Sequence, residues 1–146
     1  MVHSASDIAK IILMMSNPEV GDIISNLKLQ KLLYYAQGFH LAIHDAPLFE
    51  EDVEAWMYGP VVPGVYREYK SFGSGAIEKD ENFEVPESVT EGELSLIQEV
   101  YEVYGQFSAL KLMELTHEED PWRNIPAKAG SVISKESMGK FFKTRI

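Results

Sequence analysis

The sequence has no cysteine among its 146 residues. That excludes disulfides, thiolate metal sites and a cysteine nucleophile, and it is compatible with a reducing cytoplasm. Long apolar runs are missing too. Ile11-Ile12-Leu13-Met14-Met15 falls far short of the roughly 20 residues a membrane span requires. Asp7 and Lys10 interrupt its approach, which is unlike a targeting signal. Positive charge is scarce: 13 Lys and Arg stand against 23 Asp and Glu, for a net charge of −10. No basic run offers the face that phosphate contacts need, so no nucleic acid is expected as a partner. The acidic balance suits a partner with a basic surface, and equally suits plain solubility. No Gly-rich phosphate loop and no G-x-S-x-G elbow occur, so neither chemistry has a motif to stand on.

What remains is an ordinary globular composition, 45% hydrophobic and 25% charged. The length fits one domain over residues 1–146. A chain of this size buries about 68–70% of its unfolded surface without a covalent staple. The expectation is a cytoplasmic protein with no cofactor, no metal and no membrane contact.

Helix starts are well marked. Ser4-x-x-Asp7 resembles a capping box, with Ile8, Ile11, Ile12 and Met15 following at helical spacing until Asn17-Pro18. Ser25 caps a second helix, in which Leu29, Leu32, Leu33, Ala36, Phe39 and Ile43 form the expected buried stripe, stopped by Asp45-Ala46-Pro47. Thr90-x-x-Glu93 is a capping box opening a helix that Gly105 closes. Ser108 starts another, ended by Pro121-Trp122, and Ser134 caps a last one carrying Phe141 and Phe142. Phe49–Tyr58 and Ala76–Val85 read as extended. The fold class is therefore mainly α: a compact domain of about six helices with a small two-stranded β element, which must pack on helices to persist.

Candidate chemistry is sparse. His40 and His44 share a helix face, but zinc would need a third ligand, and a metalloprotease would need Glu where Leu41 stands. The pair is read as packed or solvated, and no metal site is assigned. His117-Glu118-Glu119-Asp120 is the one dense polar cluster with a histidine. Consecutive acids splay around a helix end, where His117 also complements the dipole. An acid/base enzyme built on His117 and a nearby carboxylate is the alternative. Trp56-Met57-Tyr58-Gly59-Pro60 has conformational content: Pro60 keeps Gly59 out of the α region, and Pro63 suits a first helical turn. Its aromatics either build the core or anchor an interface.

Three stretches together resemble a known family. They are Leu29-Gln30-Lys31-Leu32-Leu33-Tyr34-Tyr35-Ala36-Gln37-Gly38, then Glu54-Ala55-Trp56-Met57-Tyr58-Gly59-Pro60-Val61-Val62-Pro63 with Tyr66 and Tyr69-Lys70, then Leu115-Thr116-His117 with Pro121-Trp122. In this order they are similar to the Panacea domain, also called the SocA-like or GepA-like antitoxin domain, of bacteria and phages. Two positions depart from its pattern: Met57 stands where a polar or basic residue is expected, and Gly64 where a helix former is. The resemblance implies a non-catalytic antitoxin that binds and neutralises a cognate toxin protein. Some members carry an added DNA-binding domain, and this chain has no basic patch for that role. An adaptor delivering a partner to a protease, or a phage accessory protein with a host target, is the rival reading. Partner-binding candidates are Tyr58 and Tyr66, aided by Glu50, Glu51 and Asp52. Tyr offers a large amphipathic contact on only two χ angles.

Overall fold

Each of the longer helices begins on a side chain that satisfies one of its free amides. In the computed structural model, which describes residues 2–146, Ser4, Ser25, Ser108 and Ser134 each accept the backbone N–H three residues on. Thr90 and Glu93 close a reciprocal capping box. The resulting order is α1 Ala5–Met14, α2 Asn26–His44, β1 Val53–Trp56, β2 Gly59–Val61, α3 Pro63–Glu68, α4 Glu91–Tyr104, α5 Ala109–His117, α6 Asp120–Arg123, β3 Val132–Ile133 and α7 Lys135–Phe142. Short 3₁₀ turns follow α1, α3 and α7. The fold is mainly α with a small β element, as its sequence implies.

The sheet differs in detail from the expectation. It has three strands in the order β2-β1-β3, antiparallel throughout. The Phe49–Tyr58 stretch supplies β1, but its neighbours are Gly59–Val61 and Val132–Ile133. Ala76–Val85 contributes only an isolated bridge between Ala76 and Ser25. That stretch alternates too weakly to cover a sheet face, and only Ile77 within it is buried. Pro121 is a second difference. It lies in the first turn of α6, where a missing N–H costs nothing.

α2 is the axis of the molecule. Fifteen of its 19 residues are buried, far more than one apolar stripe would give. It is packed by α1, α4, α5, α7 and β2, so almost every face meets protein. Leu29, Leu32, Leu33, Tyr34 and Tyr35 are fully covered. The stripe nevertheless ends early: Phe39 is half-buried, and Ile43, expected inside, is 46% exposed. α7 crosses α2 so closely at Gly38 that a Cβ there would run into the Phe142 ring.

Candidate functional site

The three sequence stretches converge around a β-hairpin seated on the first half of α2. β1 and β2 are joined by Met57 and Tyr58, with Trp56 paired to Gly59. A two-residue hairpin loop normally needs positive φ inside the loop. Met57 and Tyr58 keep negative φ, and Gly59 supplies the positive φ, +113°, in their place. Pro60 pairs with Ala55, whose N–H is given to Ser131 on the other side, so the proline forfeits no ladder bond.

The base of the hairpin is pinned from several directions. The Trp56 indole donates to the Glu54 carboxylate at 2.9 Å, and the same carboxylate oxygen accepts the Gly130 N–H at 2.7 Å. The Trp122 indole donates to the Trp56 carbonyl at 2.8 Å. The Tyr66 ring meets Trp56 edge-on, with centroids 5.1 Å apart. Gln30 of α2 accepts the Val62 N–H at 2.9 Å and donates to Asn26, which in turn donates to the Tyr66 carbonyl. One helix thereby fixes the end of β2 and the position of α3.

The remaining polar residues of α2 work in the same way. Gln37 accepts from Leu48 and Phe49 and donates to the Phe49 carbonyl at 2.8 Å, tying down the entry to β1. Tyr34 and Tyr35 each donate to one oxygen of Glu119 at 3.0 Å. Glu119 is thus turned inward, which corrects the expectation that the acids after His117 all splay into solvent. Burial pushes its carboxyl up to about 7 against the two hydroxyl donors. Two aromatic hydroxyls facing one oxygen pair favour the inward rotamer over a hydrated one.

Lys31 is the exception. It is 0% exposed, and its Nζ has no hydrogen-bond partner. A Cβ on Gly59 would lie 2.6 Å from Lys31 Cε and 3.1 Å from the Thr116 hydroxyl. Gly59 is therefore required twice, by its φ and by the lysine beneath it. Burial, with no carboxylate to offset it, pushes the Lys31 amine down to about 7. His117 stacks on Trp122, centroids 3.9 Å apart, and its Nε2 is also buried without a partner. Its pKa is lowered, by burial first and then by Lys31, while the Met57 carbonyl opposes both. One residue from each stretch, Lys31, Gly59 and His117, thus meets under the hairpin loop.

Above this base the loop stands in solvent. Met57 is 65% exposed and Tyr58 60%. Tyr58 is the only exposed Phe, Tyr or Trp among the described residues. Tyr66 is half-buried against Trp56. Glu50, Glu51 and Asp52 are exposed but lie at the other end of β1 from Tyr58. Glu51 accepts the Ala5 N–H at 2.9 Å, at the start of α1, and Asp52 pairs with Lys135 at 3.1 Å. The structure brings Tyr66 to the hairpin and leaves the three acids at its far margin.

No carboxylate bonds to His117 Nε2. A cavity of about 810 Å³ nearby is lined by Glu118, Asp120, Ser134 and Arg145 rather than by His117. His40 Nδ1 donates to the Ala46 carbonyl, 2.6 Å away, and the ring faces Glu93 at 3.9 Å, while His44 is exposed. No helix among the described residues is long and apolar enough to cross a membrane. Gln30, Lys31 and Gln37 lie in the first stretch and Glu119 in the polar cluster, but the sequence reading gave none of them a buried role. The one available signal was that apolar residues of α2 occupy all its faces, which implies that the polar ones between them are buried too.

Comparison with known proteins agrees with this convergence. The family model described as "Antitoxin SocA-like, Panacea domain" matches residues 29–123, which hold all three stretches. The curated protein "Antitoxin SocA" of Caulobacter vibrioides (strain NA1000 / CB15N) is 36% identical over 122 residues, covering 74% of this chain. The chain spans 63% of that relative's length. No solved structure matches the chain.

Proposed function

We propose a function from one premise: the chain belongs to the SocA-like antitoxin family, the proteins of the Panacea domain. It acts as a non-catalytic antitoxin in the cytoplasm, binding and neutralising a cognate toxin protein. The observation that carries this reading is the hairpin loop. Its base is held by Glu54, Trp122, Gln30 and Gly59, and its tip presents the only exposed Phe, Tyr or Trp among the described residues.

A pinned tip suits binding because little freedom is left to lose on association. Tyr is among the residues most enriched at the energetic centre of interfaces. The proposed face takes Tyr58 as its central contact, Met57 beside it and the edge of Tyr66 behind. Glu50, Glu51 and Asp52 form an acidic margin. Met57 stands at the tip itself, beside Tyr58.

Co-expression with the product of the neighbouring reading frame tests the proposal. That product alone should arrest growth, and this chain should restore growth and co-purify with it. A neighbour that is harmless alone, or a rescue without a complex, contradicts it.

A further inference from the structure

The hairpin loop rests on two polar groups that have nothing to bond. Lys31 Nζ is buried without a partner, and so is His117 Nε2. A Cβ on Gly59 would lie 3.2 Å from that amine, so the loop overlies it directly, while Met57 and Tyr58 just before Gly59 stand in solvent. The His117 ring reaches the Met57 carbonyl in the loop itself. A buried polar group without a partner is uncommon and asks for an explanation. A buried charge without one is far costlier than a neutral group.

Neither group has a counter-charge to turn to. On α2 itself, Lys28 donates to the Gly105 carbonyl at 2.6 Å, and Tyr34 and Tyr35 donate to Glu119. From α5, Thr116 gives its hydroxyl to the Met113 carbonyl. From β1, Glu54 is held by the Trp56 indole and the Gly130 N–H. β2, Gly-Pro-Val, has no titratable side chain. α6 brings Trp122 onto the His117 ring, and its Asp120 pairs with Arg123. Glu118 is exposed. The charge that bears on His117 is that of Lys31, which has the same sign.

We propose that the hairpin is a proton-sensitive gate. It seats on α2 while the amine and the imidazole beneath it are neutral, and each proton they take up favours a state in which the loop is lifted and both groups reach water. A solvated lysine titrates near 10.5, and seated Lys31 at about 7. Lifting therefore takes up a proton between those values, and the lifted population grows as pH falls through them. Below 7 Lys31 is charged in both states and adds nothing more. His117 ordinarily titrates at 6.5 and is lowered when seated, so it extends the effect below 6.5. The gate stands independently of the antitoxin reading. Where the tip binds a toxin, acid loosens the element that presents Tyr58.

Hydrogen exchange at the Val62 N–H tests this on the chain alone, because that amide donates to Gln30 across the seat. Where reclosing outpaces exchange, base-catalysed exchange slows about tenfold for each pH unit lost, and opening linked to one proton grows about tenfold over the same unit. The two cancel, so the Val62 rate should stay nearly constant from roughly pH 9 to roughly pH 8. In Lys31→Met it should instead fall about tenfold. His117→Gln should keep the constant region and lose the added opening below pH 6.5. Ile97, in the core, should be better protected than Val62 throughout. A wild-type Val62 rate that falls about tenfold over that unit, or one that Lys31→Met leaves unchanged, would overturn the proposal. Equal protection at Val62 and Ile97 would also overturn it, since the whole fold rather than the hairpin would then be opening. A His117→Gln profile identical to the wild type's below pH 6.5 would overturn the imidazole's part.

Discussion

From Asn26 to Gly38 α2 is surrounded, and most of its polar side chains there reach other segments. Gln30 holds the end of β2, Tyr34 and Tyr35 hold Glu119, Gln37 holds the entry to β1, and Lys31 lies sealed under Gly59. Toward its last turn the same helix leaves Phe39 half-buried and Ile43 46% exposed, beside a groove that α4 also lines. Both ends carry the same apolar period. They differ in what packs against them: the first part meets protein on nearly every face, whereas at the last turn Ile43 stands partly in solvent. A helix buried on every face needs its polar groups satisfied, and satisfying them over long sequence separations fixes which segments assemble around it.

The comparison is broken most severely by emptying the first end. Leu32→Ala should cost about 2–5 kcal/mol, since Leu32 is fully buried and its site is walled by other elements. Ile43→Ala, eleven residues later on the same stripe, should change stability by about 0.5 kcal/mol or less. Denaturant midpoints at matched m-values measure both. A similar loss at the two positions would show that the groove is covered.

Lys31 gives the next effect, and its sign is opposite. The amine falls from 10.5 to about 7 on folding, so between those values the unfolded chain holds a proton that the folded chain does not. The lysine therefore lowers stability most at pH 7 and below, and its penalty fades as pH rises toward 10.5. Lys31→Met should stabilise the protein by about 1–4 kcal/mol at neutral pH, with a gain that shrinks in alkali. A gain independent of pH, or a loss, would mean that Lys31 is charged and paired in the fold. Glu119 differs in direction: its raised carboxyl loses stability as pH climbs from 4.5 to about 7, and Glu119→Gln should remove that part of the profile.

The smallest effect belongs to Gly64, in the first turn of α3. A Cβ there meets nothing within 4 Å, and its φ is not positive. Gly64→Ala should raise stability by about 0.5 kcal/mol through lost unfolded-state freedom. A lower melting temperature would contradict that.

Local features were legible in the sequence because they are decided within one turn of chain. Ser25 and the Thr90–Glu93 box sit where their spacing puts them. Leu29 and Leu32 are buried as the period requires. β3 was not legible, because two residues carry no period and Val132–Ile133 pair with Val53–Glu54 across a long separation. The inward turn of Glu119 depends on two hydroxyls more than eighty residues away, at separations of 85 and 84. Lys31 reads as a surface residue until the hairpin is placed over it. The elbow at Gly59-Pro60 was visible as a constraint, but the exposure of Met57 and Tyr58 above it follows from the register of β1 on β2.

The central claim is that a pinned hairpin presents Tyr58 to the toxin, and Tyr58→Ala tests it most directly. The variant should keep the wild-type melting temperature, because Tyr58 is 60% exposed and lies outside the buried core. In cells making the toxic product of the neighbouring frame, it should fail to restore growth and fail to co-purify. A folded Tyr58→Ala chain that still protects cells and still binds would contradict the account, and would place the docking face away from the hairpin.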